Sequence, residues 1–581
     1  MKSAPTLEVD LKGQEGTNQI FISPIENFPY IKQKDLFQSI EYYACTGLSV
    51  FLWSYFTTSA GFKSYNFVIN HKLELELSYL TKYRDYEDLQ WKYFRNNLFY
   101  FLLIGIVFTA ISKMLKKYSE KTLKYFYTIS GICFAFYLIK FRIIYIFMAM
   151  IIFYLSTKFI NIGDNNFVIL TWCELFLCKY GIYNLEKVLE LKNYFKNEND
   201  IDDLSYEFVL LYALLRMVSF NMEYKKIYFD QTIAESIFSL NQARSHCMEC
   251  YDGNFCSKCL ENTVISDNKD KLDDSFDLIN CINYIFYLPL MFNGPIINYN
   301  SFIFQIGIWK DSQHSILVKM NKILYALKLL LLMLIMEVYN HFLFPIFLFR
   351  NSNNIIEPNS EITLFYYCFI CLNILTFLWL KYAIIWKFWR LLSWCDGIFV
   401  EENMNRMIYD IFSLEEFFRG FNRSLNRWIV RYLYIPLGGK NKKYVNIWVI
   451  FAVICLLFNF EKGNYIVFSI CCCALLDLEI FIKGFTINKF GEDFNEKITL
   501  RYLKYIISSF YVLILFIVAL IGFHFSIQGI KVVVDNIIGV GGYFYILIFV
   551  LFFFPNIIMN FFVRDMEVEN CVLMHKKVLN Y

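Results

Sequence analysis

The segment 417–439 carries the densest polar chemistry in an otherwise apolar chain, with the sequence FFRGFNRSLNRWIVRYLYIPLGG. Arginine recurs there at every fourth position: Arg419, Arg423, Arg427 and Arg431. On one helix this spacing places the four arginines along a single stripe, with Asn422 and Asn426 together on a nearby face. The pattern favours either an amphipathic helix at the membrane surface, whose arginines reach toward water, or a helix that lines a polar cavity.

A second candidate site is the run HCMECYDGNFCSKC at residues 246–259. It contains two CxxC pairs: Cys247, Cys250, Cys256 and Cys259. Four thiolates can hold a structural Zn²⁺, and the Asp-Gly-Asn turn between the pairs would let them face each other. The spacer is much shorter than in common zinc ribbons, and the redox state depends on the side of the membrane. Structural zinc, disulfides and free or lipidated thiols therefore all stay open.

The composition places these polar segments in a membrane protein. Of the 581 residues, 57% are hydrophobic and 18% are charged, whereas soluble domains carry about 45–50% apolar and about 25% charged residues. The net charge of +3 is too balanced to indicate a nucleic-acid partner. The bilayer is therefore the expected partner of most of the surface.

The apolar runs predict an all-α, polytopic architecture. A helix needs about 20 mainly apolar residues to cross a bilayer, and thirteen stretches approach this length. The stretch 206–222 is short and contains Arg216, and the stretch 278–307 is interrupted by Gly294-Pro295, where proline breaks helical hydrogen bonding. We therefore expect about 11–13 transmembrane or re-entrant helices.

The polar segments suggest a simple division of the chain. We expect a polar N-terminal tail at 1–36, a membrane domain at 37–565 and a C-terminal tail at 566–581. Within the membrane domain, 223–277 is predicted to form a polar, cysteine-rich loop, and 387–444 an amphipathic region around the arginine motif.

The run RSLNRWIVRYLYIPLGG resembles the signature of the membrane-bound O-acyltransferases, in the branch of the glycerol uptake proteins and Hedgehog acyltransferase. Residues 287–300 (YLPLMFNGPIINYN) and 214–223 (LLRMVSFNME) resemble further stretches of that branch. The resemblance implies transfer of a fatty acyl group from acyl-CoA to a lipid or GPI-anchor hydroxyl, without a required cofactor. It also implies a setting in the endoplasmic reticulum, with a lipid acceptor as the second substrate.

The resemblance also assigns residues. Asn422 matches the upstream polar member of the family's catalytic site, and the ungapped register puts Asn459 where the family has its general-base histidine. His524, in a late apolar stretch, is a candidate substitute base. The positions expected beside the substrate are Asn426, Arg427, Trp428, Arg431, Tyr434, Gly294 and Pro295.

The replacement at Asn459 opens two further hypotheses. A histidine can take a proton near neutral pH, whereas an asparagine amide cannot, and losing a positioned base typically removes a factor of about 10²–10⁴ in rate. The chain could therefore be an inactive relative that binds lipid or a partner protein. The name of the branch also suggests a glycerol or polyol transporter, although the paired broken helices and repeats typical of transporters are not evident.

Overall fold

The computed structural model describes most of the apolar part of the chain. Its ranges are 43–48, 84–160, 164–188, 200–229, 275–307, 322–350, 364–404, 413–458 and 463–490, with a few isolated positions. Every regular element in these ranges is helical, and one isolated β-bridge joins Met404 to Phe421. The predicted all-α class is therefore confirmed.

The helices are named here in chain order. They are α1 (Leu89–Lys116), α2 (Glu120–Ile139), α3 (Ile143–Phe159), α4 (Asp164–Val188), α5 (Asp200–Phe229), α6 (Leu278–Ile285), α7 (Leu288–Met291), α8 (Tyr299–Gly307), α9 (Lys322–Val338), α10 (Pro345–Arg350), α11 (Leu364–Asp396), α12 (Leu414–Gly420), α13 (Arg423–Ile429), α14 (Lys443–Leu457) and α15 (Gly463–Phe490). Among the described residues, three stretches are long and apolar enough to cross a membrane: Leu89–Lys116, Glu120–Phe159 and Lys322–Leu343.

The ends of α1 follow from its sequence. The side chain of Asp88 accepts a hydrogen bond of 2.7 Å from the backbone N–H of Trp91, which caps the helix at its start. Lys113 and Lys116 lie in the last turn, where positive charge is favourable beside the exposed carbonyl groups. Together α1 and α2 form two successive apolar stretches joined by a short turn.

Two helices extend further along the chain than the sequence analysis predicts. The helix expected over 206–222 extends from Asp200 to Phe229, so it continues past the expected start of the polar loop at 223. Likewise α11 runs on to Asp396, inside the region 387–444. Both helices continue through polar residues because these side chains find partners on other elements. The predicted interruption of 278–307 is present, since this stretch forms the three short helices α6 to α8.

A fully buried carboxylate joins helices from distant parts of the chain. Asp396, at the end of α11, accepts hydrogen bonds from the hydroxyl groups of Tyr127 (2.8 Å) and Tyr287 (2.6 Å). Its other oxygen lies 3.0 Å from the ammonium group of Lys116 at the end of α1. A buried charge is tolerated only when it is paired and hydrogen-bonded, and Asp396 meets both conditions.

Substitution of Gly131 tests the contact between α2 and α6. A Cβ atom on Gly131 would lie 2.1 Å from the carbonyl oxygen of Phe286, which is backbone and cannot rotate away. We expect Gly131→Ala to lower stability by about 1–3 kcal/mol through overpacking, measured as a lower thermal midpoint in detergent. Gly181→Ala is the matched control because nothing lies within 4 Å of its Cβ. Equal melting of the two variants would contradict the contact.

A second prediction concerns pH. Asp85, which precedes α1, accepts hydrogen bonds from the N–H groups of Ile346 (2.9 Å) and Phe347 (3.0 Å), and its burial raises its pKa from 3.8 to about 6. The folded state therefore binds a proton on Asp85 more tightly than the unfolded state does. The stabilisation that this proton provides is complete below about pH 4 and is lost as pH rises through 6. We expect the thermal midpoint of the wild type, relative to that of Asp85→Asn, to fall between pH 5 and pH 7.5. A difference that does not change with pH would refute this assignment.

Candidate active site

The arginine motif forms two short helices rather than one. Asn422, with φ of 54° and ψ of 54°, separates α12 from α13, and asparagine is among the few residues that tolerate this left-handed conformation. The expectation of one continuous stripe of four arginines is therefore wrong. Arg419 is exposed, lies on the first helix and pairs at 2.5 Å with the partly exposed Glu415, one turn earlier in that helix.

The other three arginines face carboxylates from elsewhere in the chain. Arg423 and Arg427 both lie beside Glu401, at 3.3 Å and 2.6 Å. Arg431 lies 2.5 Å from Glu223, whose side chain is only 1% exposed. The alternative of arginines that simply reach toward water does not describe these three side chains, because each is held by an inward-facing carboxylate.

Two asparagines lie where α13 begins: Asn422 directly precedes the helix, and Asn403 bonds to its first two residues. The backbone oxygen of Asn403 accepts from the N–H of Arg423 (3.1 Å), and its Oδ1 accepts from the N–H of Ser424 (3.0 Å). Within the described residues, the buried Nδ2 of Asn403 and the buried Oδ1 of Asn422 have no hydrogen-bond partner. We call Asn403 and Asn422 the asparagine pair. It offers one donor and one acceptor to a ligand.

The segment with Gly294-Pro295 packs directly against this motif. We call residues 292–298, which are irregular and largely buried, the strap. The N–H of Ile296 donates to the hydroxyl of Ser424 (2.9 Å), the residue that follows Arg423 in α13. A Cβ on Gly294 would lie 2.8 Å from the Cα of Leu290, so glycine is needed for this close approach. The structure thus brings Gly294 and Pro295 next to the segment that contains Asn422.

Glu223 connects three elements of the site. Its Oε1 accepts from the guanidinium of Arg431 (2.5 Å) and from the hydroxyl of Tyr432 (2.6 Å), and its Oε2 accepts from the amide of Asn300 (2.5 Å). The Tyr432 hydroxyl also lies 2.8 Å from that of Ser219. We call this group the Glu223 node. Its ion pair and hydrogen bonds compensate the burial of the charge.

The other residues that the sequence predicts beside the substrate differ in how deeply they are buried. Trp428 is fully buried: its indole N–H donates to the backbone oxygen of Leu215 (3.1 Å), and its ring packs on Trp172. It therefore fixes α13 to α4 and α5 as part of the core. Asn426 and Tyr434 are half-buried, the second in the π-helical turn Val430–Tyr434 that follows α13.

Several predicted positions lie outside the described residues: Asn459, His524, Cys247, Cys250, Cys256 and Cys259. In the part of the chain that is described, no group of three or more histidine, cysteine, aspartate or glutamate side chains could hold a metal ion. The sequence alone did not point to Glu223, Glu401 or Asn403. The signal for Glu223 was available, since an acidic residue beside an apolar run in a membrane protein indicates function or pairing.

Comparison with known proteins decides the family. The model of the membrane-bound O-acyltransferase family matches residues 175–521. The chain belongs to this family. The matched range contains the Glu223 node, the strap and the asparagine pair, and it begins after α1 to α3.

Similarity to individual proteins supports this family assignment. The membrane-bound O-acyltransferase gup1 of Schizosaccharomyces pombe is 29% identical over 388 residues, 64% of this chain and 62% of the relative. GUP2 of Saccharomyces cerevisiae is 25% identical over 389 residues, 64% of this chain and 61% of the relative. Mouse protein-cysteine N-palmitoyltransferase HHAT is 26% identical over 186 residues, 32% of this chain and 36% of the relative. The chain spans about three-fifths of the length of these yeast relatives, and the resemblance drawn from the motif is confirmed.

The Glu223 node yields a prediction about stability. Glu223→Gln keeps the size of the side chain but removes the buried carboxylate that faces Arg431. Because removing one partner of a buried pair typically costs about 3–5 kcal/mol, we expect a clearly lower thermal midpoint in detergent.

The matched control is Glu415→Gln, which removes the partly exposed carboxylate beside the exposed Arg419 in the same motif. Exposed pairs contribute about 0–1 kcal/mol, so this variant should melt close to the wild type. The double variant Glu223→Gln/Arg431→Gln should lose less stability than the two single changes combined. Similar melting of Glu223→Gln and Glu415→Gln would show that the ion pair at Glu223 is not required.

Proposed function

We propose that this chain transfers a fatty acyl group from acyl-CoA to the hydroxyl of a membrane lipid or GPI anchor, in the endoplasmic reticulum. Family membership over residues 175–521 supports the reaction class. The observation that carries the site is the buried Oδ1 of Asn422, which has no hydrogen-bond partner among the described residues. Buried polar atoms are normally paired, so this oxygen is available to a bound hydroxyl.

The reaction itself needs only a small set of groups. The acceptor hydroxyl oxygen attacks the thioester carbonyl carbon, a C–O bond forms, the C–S bond breaks, and the hydroxyl proton is transferred to the leaving thiolate of CoA. Asn422 Oδ1 would accept a hydrogen bond from the acceptor hydroxyl and orient it. The Nδ2 group of Asn403 would donate to the oxygen that becomes negative in the tetrahedral intermediate, which is the task of an oxyanion-stabilising donor.

The general base of the reaction is not identified by the residues at the family's catalytic positions. Asn459 takes the position of the family's histidine in the register of the motif, two residues after α14 ends at Leu457. An amide cannot accept the proton near neutral pH. His524 is the proposed substitute. The same replacement favours the second candidate function, an inactive relative that keeps the binding site and holds a lipid or a partner protein.

The deciding experiment is acyl transfer by the purified full chain in nanodiscs, with labelled palmitoyl-CoA and either lysophospholipid or lyso-GPI acceptors. We expect Asn422→Ala to lower the wild-type rate by at least about tenfold, because an orienting hydrogen bond is lost. Asn97→Ala is the control, since Asn97 bonds to the backbone of Tyr93 in α1 and accepts from the hydroxyl of Tyr137 in α2, both outside the asparagine pair. Thermal melting of each variant confirms folding.

Asn459→His separates the two candidate functions. Turnover by the wild type that depends on Asn422 supports an enzyme with a substitute base, and His524→Ala should then reduce the rate by about 10²–10⁴. A silent wild type with activity gained in Asn459→His identifies an inactive protein on an intact acyltransferase scaffold. Silence of the wild type and Asn459→His with both acceptors would count against acyl transfer to these lipids.

A further inference from the structure

One end of the membrane-spanning stretches carries a concentration of exposed lysines. They are Lys113, Lys117, Lys121, Lys322 and Lys328. The turn between α1 and α2 places the first three together, and two contacts bring the start of α9 to the same end: Lys322 donates to the backbone oxygen of Trp394 (2.9 Å), and Lys116 pairs with Asp396. We call these five residues the lysine face.

The lysine face is not neutralised by carboxylates. In the described ranges, Lys116 is paired with Asp396 and Lys124 with Glu120 (3.4 Å), but none of the five lysines has a carboxylate within 4.0 Å. Excess positive charge is therefore exposed at this membrane boundary.

The opposite end of the same stretches differs in this respect. There Lys381 lies 2.7 Å from Asp88, and Arg95 lies 2.7 Å from Glu337. Lys381 and Arg95 are thus each paired with a carboxylate. The five residues of the lysine face have no such pair within the described ranges.

Apolar side chains surround the lysines. Met114, Tyr118 and Tyr125 are exposed between the lysines of α1 and α2, and Ile323 and Leu327 are exposed beside those of α9. Exposed tyrosines beside lysines are typical of the boundary between hydrocarbon and headgroups. The positive charges thus border lipid rather than an open aqueous pocket.

From this arrangement we infer that the lysine face binds the headgroups of anionic phospholipids. Lysine is a flexible point charge whose apolar stem can lie along lipid tails while the ammonium group reaches a phosphate. Cytoplasmic loops between membrane spans carry an excess of lysine and arginine, and the cytoplasmic leaflet is enriched in anionic phospholipids. The lysine face lies outside the asparagine pair and the Glu223 node, so the inference does not depend on the proposed acyl transfer.

The test measures lipid binding by the purified full chain. Native mass spectrometry would follow titration with phosphatidylserine and with phosphatidylcholine of identical acyl chains. We expect K117Q/K121Q to weaken phosphatidylserine binding by roughly 30-fold and to leave phosphatidylcholine binding unchanged. K92Q/K140Q removes two lysines from the opposite ends of the same two helices, and it should leave binding of both lipids unchanged.

Two further measurements test whether positive charge is responsible for the binding of phosphatidylserine. K117R/K121R should restore the preference for phosphatidylserine, because it restores charge, and 1 M salt should weaken that preference by screening. Equal wild-type affinity for the two lipids, or equal losses in K117Q/K121Q and K92Q/K140Q, would overturn the proposal. Displacement of phosphatidylserine by millimolar inorganic phosphate would also overturn it, since it would assign the face to a soluble anion.

Discussion

Hydrogen bonding of backbone groups away from water is the constraint on which the rest of this structure depends. Irregular backbone inside a membrane domain is tolerated only where protein groups satisfy it. The strap meets this requirement at two points: Ser424 accepts from the N–H of Ile296, and the Tyr284 hydroxyl donates to the oxygen of Ile297. Arg216, which is buried, donates to the carbonyl oxygens of Tyr284, Ile285 and Leu290, where α6 and α7 end.

The same reasoning explains how the charged groups are arranged. An isolated charge in a medium of low dielectric constant is very unfavourable, whereas a paired and hydrogen-bonded charge can be accommodated. Glu223 and Asp396 each receive a positive side chain together with hydroxyl groups of tyrosine. Each group also connects helices far apart in sequence, so charge pairing fixes the relative position of the elements that form the site.

The sequence predicted the helical class, the interruption at Gly294-Pro295 and the family, because these follow from long apolar runs, from proline and from a long ungapped motif. It did not predict that the motif would divide at Asn422. The fourfold spacing of the arginines suits one helix, but the left-handed backbone at Asn422 depends on the bonds that Asn403 makes to the next two residues. Nor could local spacing show that Arg431 pairs with Glu223, which lies 208 residues away. Long-range partners are chosen by the tertiary fold, and one sequence does not display them.

The pairing of Lys116 with Asp396 has a consequence for the synthesis of the protein on the ribosome. The two residues are 280 positions apart, and ribosomes add about 5–20 residues each second. Lys116 must therefore reside at the membrane for roughly 15–60 s before its carboxylate is synthesised. During that interval α1 and α2 lack the ion pair and the hydrogen bond to Asp396, which can form only after the end of α11 has been synthesised.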